Sequence, residues 1–375
     1  DQIGGNTYLT EIVNSVPSSS NITYYGTIVQ KKHMMRRLIE ASDHISQIGY
    51  DENKELEEML DNAEKKLFDV TNFNTAHKFV PIKDELTEAW ERLDRLHTEG
   101  DGLRGIPTGF KDIDIKLSGL QKSDLIILAA RPSVGKTSFA LDIARQAAVN
   151  HNIPVGIFSL EMSSQQLVDR MLAAQANVDA WKLRTGKLSR QDDFEAIRES
   201  LDKLNKAPIF IDDQPGNNIL KMRSIARRLK SEHGLGLIVV DYLQLMVPTQ
   251  TKNDNVVQQV TEISRSLKNL ARELDCPVLA LSQLSRAVEQ RGGRPRLSDL
   301  RDSGSIEQDA DVVMFIHRED KYKDESERTN IAEILIEKHR NGETGKVELF
   351  FNDKKATFQN MDKSQYGGAD KEFSD

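Results

Sequence analysis

Residue types that suit phosphate chemistry stand together in IILAARPSVGKTSFAL, from Ile126 to Leu141. An apolar strand, Leu125 to Ala129, runs into a tight loop holding one proline and one glycine, and Lys-Thr then opens a helical pattern. That order suits a phosphate loop, because backbone N–H groups of the loop and of the helix N-terminus converge on phosphate oxygens. The loop Ala130, Arg131, Pro132, Ser133, Val134 and Gly135 leads into Lys136, Thr137 and Ser138. Lys136 is expected to reach the terminal phosphates of ATP, and the Thr137 hydroxyl to ligate Mg2+. Ala130 departs from the strict G-x-x-x-x-G-K-[ST] pattern, but alanine is the smallest substitute and the position closes the strand.

In open α/β sheets a ligand lies beyond the carboxyl ends of the strands, so polar residues just after apolar runs matter most. Three appear. Glu161 follows GIFSL, where a carboxylate can activate water against a γ-phosphate; its competing role is to cap the helix starting near Ser163. Asp241 ends LGLIVVD, the Walker B arrangement that holds magnesium through water. Gln283 ends PVLALSQ and suits a sensor of the γ-phosphate. Together with Lys136 and Thr137 these residues fit phosphoryl transfer to water.

A basic, Gly- and Pro-broken segment, RAVEQRGGRPRLSDLR, follows the Gln283 strand and carries five arginines against Glu289 and Asp299. It is a candidate contact for single-stranded nucleic acid, with a solvated loop as the plain alternative. His317 and Arg318 close the run VVMFI and are expected near a base or ribose. The lone cysteine, Cys276, reads as packing and excludes an intrachain disulfide framework.

The elements that must position these residues follow from the apolar patterns. From Gly105 to about Gln359, short apolar runs alternate with helical patterns, which predicts an α/β domain with a mainly parallel sheet covered on both faces. Before it, Thr27 to Ile48 and NKELEEMLDNAEKKLFDV have helical spacing and suggest a helical hairpin. A third amphipathic stretch, VPIKDELTEAWERLDRLH, cannot bury Ile82, Leu86 and Trp90 on itself and is expected to dock elsewhere. The expected division is 1–75 for the hairpin, 76–104 for a linker with the docking helix, 105–360 for the ATPase domain and 361–375 for a disordered tail.

A net charge of −8 over 375 residues argues against a uniformly basic coat, though a local basic lining remains open. No signal-peptide pattern and no apolar run of about 18 residues is present, so a cytoplasmic location is expected. The chain opens at Asp1 without methionine, and a missing N-terminal part is expected.

GIPTGFKDID, LAARPSVGKTSFAL, FSLEMSSQQL, VVDYLQLM, LSQLSRAVEQR, LSDLRDSGSIEQDADVVMFIHR and KHRNGETG occur in that order. In these pieces the chain resembles the DnaB-type hexameric replicative DNA helicases, whose motor domain is a RecA-like P-loop NTPase. The resemblance runs over nearly the whole chain and implies ATP and magnesium at Lys136 and Thr137, a catalytic base at Glu161, a Walker B acid at Asp241 and a sensor at Gln283. It further implies that Lys338 and Arg340 act in trans as basic fingers, before an N-G turn whose chemistry suits a hairpin. Arg301, Asp302, Ser303 and Gly304 match a channel loop that grips the DNA backbone. The hairpin resembles part of the family's N-terminal domain, without its globular head. The partners implied are single-stranded DNA, five further copies in a homo-hexamer, a primase and a helicase loader. Two other readings stay open: another RecA-like DNA-dependent ATPase, a recombinase or repair motor, and a non-hydrolysing nucleotide-gated ring or loading scaffold. The helical hairpin and linker helix disfavour the first, and Glu161 with the Lys338/Arg340 pair disfavours the second.

Overall fold

The computed structural model describes residues 22–50, scattered helical positions between 59 and 94, and 103–361 apart from 189, 215, 217, 244–245, 247–255, 286–287, 289–290 and 323–326. Two compact units divide the chain, Asp1–Arg92 and Leu93–Asp375.

The first unit holds α1, Ile22–Gly49, which extends the expected helix by five residues at its N-terminus. Its apolar stripe is left largely open, with Ile28, Met35, Leu38 and Ile39 exposed and Ala41 buried. Positions 59, 62, 63, 66, 67 and 70 are helical, and so are 82, 83, 86 and 90 in the expected docking helix. Ile82, Leu86 and Trp90 are exposed. Among the described residues no helix is long and apolar enough to cross a membrane.

The second unit is built on a nine-stranded sheet of order β3-β2-β4-β5-β1-β6-β7-β8-β9. The parallel part comprises β1 Leu125–Ala130, β2 Val155–Ser159, β3 Ile209–Asp212, β4 Leu237–Asp241, β5 Val278–Gln283 and β6 Val312–His317. Every residue of β1 is buried, which explains its unbroken apolar sequence. Ile126, Leu128 and Ala130 enter the core on one face, and Leu125, Ile127 and Ala129 the core on the other. The first core is roofed by α2 Lys111–Leu117, α3 Lys136–His151 and α4 Ser164–Ala176; the second by α7 Ile219–His233 and α8 Val256–Glu273. In chain order α5 Ala180–Thr185 and α6 Arg190–Lys206 lie between α4 and α7, and a 3-10 turn Leu297–Ser303 runs into α9 Gly304–Asp309. On α8 the buried Val260, Ile263, Leu267 and Leu270 recur every three or four residues, the spacing that turns one helical face to the sheet.

The last strands form the antiparallel part of the mainly parallel sheet, with a hairpin at the N-G turn as expected. β7 Ile331–His339, β8 Gly345–Asn352 and β9 Thr357–Asn360 pair antiparallel. Residues 340–344 are too few for the crossover that parallel pairing needs, so the chain can only turn back. Burial in β8 alternates accordingly: Val347, Leu349 and Phe351 face the core, while Glu348 points outward.

Two motifs of the sequence turn out to be scaffolding. In GIPTGFKDID the Asp114 carboxylate accepts from Thr108 N at 2.8 Å and Thr108 Oγ1 at 2.7 Å, which locks the turn that starts α2. Cys276 is fully buried, and burial pushes its thiol up to about 12, so it is packing as expected.

Candidate active site

The phosphate loop joins β1 to α3, and α3 starts at Lys136 as expected. Ala130 belongs to the strand and not to the loop; its side chain is buried in the first core, and its carbonyl accepts from Leu284 N at 3.1 Å. The position therefore favours a small apolar side chain, and the missing glycine costs nothing there. Gly135 is constrained twice over. Its φ is +110°, and a Cβ there would meet the Phe358 ring at 2.9 Å and the Phe351 ring at 3.1 Å. Beneath the loop, buried Asp142 of α3 accepts from Thr357 Oγ1 at 2.8 Å and Phe358 N at 2.7 Å, clamping the helix to β9. Nothing in the spacing of the sequence announced that clamp, since its partners lie 215 and 216 residues away.

The strand ends converge as β1, β4 and β5 run side by side. Thr137 Oγ1 donates to Asp241 Oδ2 at 2.7 Å, and Lys136 Nζ stands 3.7 Å from Asp241 Oδ1. Lys136 also lies over the Tyr242 ring, 4.3 Å from its centre, a contact that sequence reasoning missed. Burial lowers the Lys136 pKa, and Asp241 and Glu161 work against that shift. Burial raises the Tyr242 pKa, helped by the same two carboxylates. Asp241 Oδ1 is buried and accepts no hydrogen bond, with only the Lys136 ammonium at 3.7 Å, so it could take a water of a hydrated cation beside the Thr137 hydroxyl. These donors fit magnesium held at a triphosphate. Among the described residues no group of three or more His, Cys, Asp and Glu forms a metal centre of its own.

Glu161 is exposed, two residues beyond β2, and Ser159 pairs in register with Asp241. The competing role of a helix cap falls away: Ser163 is the N-cap of α4, with Gln166 accepting from its N–H at 3.2 Å, and Asp213 accepting from Ser164 N at 2.7 Å. Gln283 ends β5 opposite Ala130, and Arg131 Nη1 reaches across to the Leu284 carbonyl at 2.6 Å. The phosphate loop and the expected sensor strand are thus tied by two hydrogen bonds. Ala130 to Ser138, Val134 excepted, line a cavity of about 810 Å3 together with Glu161, Gln283, Arg170, Trp181, Arg184 and the β8–β9 turn. Sequence reasoning found neither of these arginines nor Trp181, because no motif marks them.

Lys338 and Arg340 are not near that cavity. Lys338 Nζ donates to the carbonyls of Glu307 at 2.6 Å and Ala310 at 2.7 Å, closing the C-terminal end of α9. Arg340 N donates to the Asp311 carbonyl at 2.8 Å and its guanidinium to Asp311 Oδ1 at 3.3 Å, while its side chain stays 66% exposed. Asp311 precedes β6, and its other oxygen accepts from Leu125 N, the first residue of β1, at 2.8 Å. Arg340 therefore sits at the amino edge of the parallel strands, about 17 Å, or five strand residues, from its own phosphate loop.

Arg301, Asp302 and Ser303 close the 3-10 turn and Gly304 opens α9; their side chains lie outside the described residues, as does Arg286. The basic segment is less free than its sequence implies. Arg291 makes a two-pronged pair with Asp299 at 2.9 and 2.8 Å, and Arg294 one with Glu333 of β7 at 2.7 and 2.6 Å. Glu333 lies 39 residues from Arg294, so its neutralising charge was invisible locally. Arg318 also differs from expectation. It is buried, paired with Asp353 at 3.0 and 3.1 Å and stacked 4.5 Å from the Phe351 ring, so it props the sheet and is not open to a base. His317 is half-buried at the end of β6, and burial lowers its pKa.

A mostly parallel sheet with a phosphate loop after β1, an acid at the end of β4 and an amide at the end of β5 defines the RecA-like P-loop ATPases. Residues 105–360 match the family model of the DnaB-like helicase C-terminal domain. The chain is 49% identical over 364 residues to the replicative DNA helicase DnaB of Geobacillus stearothermophilus, and 48% identical over 364 residues to the replicative DNA helicase DnaC of Bacillus subtilis. Each match covers 97% of this chain and 80% of the relative. A solved DnaB-like replicative helicase, described with its interactions with primase, superimposes with a TM-score of 0.77 at 33% identity, covering 96% of this chain and 84% of that one. A second solved structure, an ATPase domain, superimposes at 0.71 with 35% identity, covering 76% of this chain and all of that one. The chain belongs to the DnaB-like replicative DNA helicases, ATP-hydrolysing enzymes that unwind DNA.

Proposed function

We propose that six copies of the chain form a ring around single-stranded DNA, with each ATP site completed by the neighbouring copy. The carrying observation is the position of Arg340. It is exposed, held by Asp311, and on the opposite edge of the sheet from its own phosphate loop. A cation so placed cannot serve its own site, and a head-to-tail ring brings it to the next one. The same ring gives the exposed Ile82, Leu86 and Trp90 a surface to cover, on the reading of 76–104 as a linker that docks on a neighbour.

Within one site, the loop N–H groups and Lys136 grip the phosphates of ATP, with Lys136 exchanging Asp241 for the γ-phosphate. Thr137 and Asp241 would hold Mg2+, which would supply positive charge against the phosphates. Glu161, exposed on the turn after β2, accepts the proton of the attacking water. Gln283 contacts the γ-phosphate, and its strand passes the loss of that contact on to the basic segment. Arg340 from the neighbour stabilises charge developing in the transition state, so hydrolysis depends on assembly. Lys338, the second cation of that hairpin, joins it when it leaves the carbonyls of α9.

Arg301, Asp302, Ser303 and Gly304 contact the DNA backbone without reading sequence, and strand exclusion separates the duplex. A primase and a loader are the expected protein partners, and the cytoplasm the site of action. The test is ATPase rate with and without single-stranded DNA. The parent is expected to turn over faster with DNA, and Glu161→Gln to bind ATP with turnover reduced by at least roughly 10²-fold. A parent with no DNA-stimulated turnover overturns the motor reading.

A further inference from the structure

The nucleotide cavity is lined by the phosphate loop and also by residues of α4, α5 and the β8–β9 turn. Three large apolar side chains line the cavity: Met162, Phe351 and Trp181. Phe351 is buried, packed 4.5 Å from the Phe358 ring and 4.5 Å from the Arg318 guanidinium. Met162 has no planar face. Trp181 alone among them combines an aromatic plane with exposure, at 51%.

The helix that carries it is built to hold it. α5 has six residues, with Ala180, Lys182 and Leu183 half-buried and none fully buried, so polar bonds share in fixing it. Asp179 accepts from Trp181 N at 2.8 Å, Thr185 Oγ1 donates to the Trp181 carbonyl at 2.8 Å, and Ala180 N donates to the Lys354 carbonyl at 3.0 Å. Lys354 belongs to the β8–β9 turn, and the strands on either side of it press Phe351 and Phe358 against Gly135. The backbone of α5 is therefore tied, through that turn, to the phosphate loop, and the indole itself carries Lys187 Nζ 5.2 Å from its ring centre, over one face.

We infer that Trp181 is the platform on which the nucleobase of the bound triphosphate stacks. The inference rests on the reading of this cavity as the nucleotide site. A nucleotide gripped by its phosphates at Lys136 extends its base along the cavity, whose volume of about 810 Å3 holds a ligand of that size and whose lining includes Trp181. Stacking uses a face that every base has, so it supplies affinity without reading base edges. The ligand class is a nucleoside triphosphate chosen by stacking area, with purines above pyrimidines.

Trp90 and Trp181 are the two tryptophans of the chain, so fluorescence of the parent against Trp181→Phe isolates the indole at the cavity. MgADP is expected to quench the parent and not Trp181→Phe, with half-saturation matching the Kd from calorimetry. Magnesium tripolyphosphate, which has no base, should leave the emission unchanged. Trp181→Ala should raise KM for ATP roughly tenfold with kcat within about twofold, and Trp181→Phe should restore most of the loss. Unchanged parent emission at saturating MgADP, or equal quenching by tripolyphosphate, overturns the stacking role while the nucleotide site stands. Loss of calorimetric MgADP binding in the parent itself would sink the site as well. A KM unmoved by Trp181→Ala also overturns it.

Discussion

The two edges of the parallel sheet carry similar residues and use them differently. At the carboxyl edge Lys136, Thr137 and Asp241 meet at the mouth of a cavity, and one buried oxygen of Asp241 accepts no hydrogen bond. At the amino edge Asp124, Lys268, Asp311 and Arg340 pair among themselves, and Lys268 donates to Asp311 while standing 4.0 Å from Asp124. Charge left short of partners can take up a ligand; charge already shared can only hold something in place. The amino edge holds Arg340, and its guanidinium is the part of that cluster left open to solvent.

The sharpest way to break this contrast is Arg340→Ala. Nucleotide binding should persist while DNA-stimulated turnover falls roughly 10³-fold, as for other trans arginines. Unchanged turnover would make the amino edge purely structural. Asp311→Asn extends the same test: turnover should drop about tenfold alone and not at all in the Arg340→Ala background, since partners acting as a unit are non-additive. Additive losses would mean that Asp311 acts through Leu125 and β1 instead.

At the carboxyl edge, Gly135→Ala forces a side chain into φ +110° and against two aromatic rings. Calorimetry should show loss of nucleotide binding, and thermal unfolding a cost of roughly 1–3 kcal/mol. Normal binding would mean that the aromatic pair yields without disturbing the loop.

The smallest effect belongs to Asp124. Burial, and then the Asp311 carboxylate, push it up to about 6 from an ordinary 3.8. A raised carboxyl pKa favours the folded state at low pH, and that advantage is lost as pH rises from about 4 through 6. Asp124→Asn should therefore gain stability relative to the parent at pH 7.5, on the order of 1 kcal/mol, with the gain vanishing below about pH 4. A gain that is flat across that range would assign the effect to Lys268 contacts and not to titration.

The carboxyl edge was legible in sequence because its residues follow local rules: an apolar run, then one polar residue. Asp241 and Gln283 lie at the expected strand ends for that reason, and Lys136 opens the expected helix. What the sequence hid was long-range pairing. The Asp142 clamp on β9, Glu333 on Arg294, and Arg318 on Asp353 each join parts of the chain with no periodic relation. The antiparallel β7 to β9 extension was half-visible, through the short N-G turn but not through the apolar runs. Trp181 was hidden for a different reason, since an exposed aromatic on a six-residue helix matches no motif at all.

Lys338 seated on the end of α9 has a mechanical consequence. α9 begins at Gly304, in the segment proposed to hold DNA, and ends on the carbonyls that take the Lys338 ammonium. Six helical residues span only about 9 Å. A pull on a strand held there would thus reach the hairpin through one stiff strut, so load on the track and readiness of the proposed finger would rise and fall together.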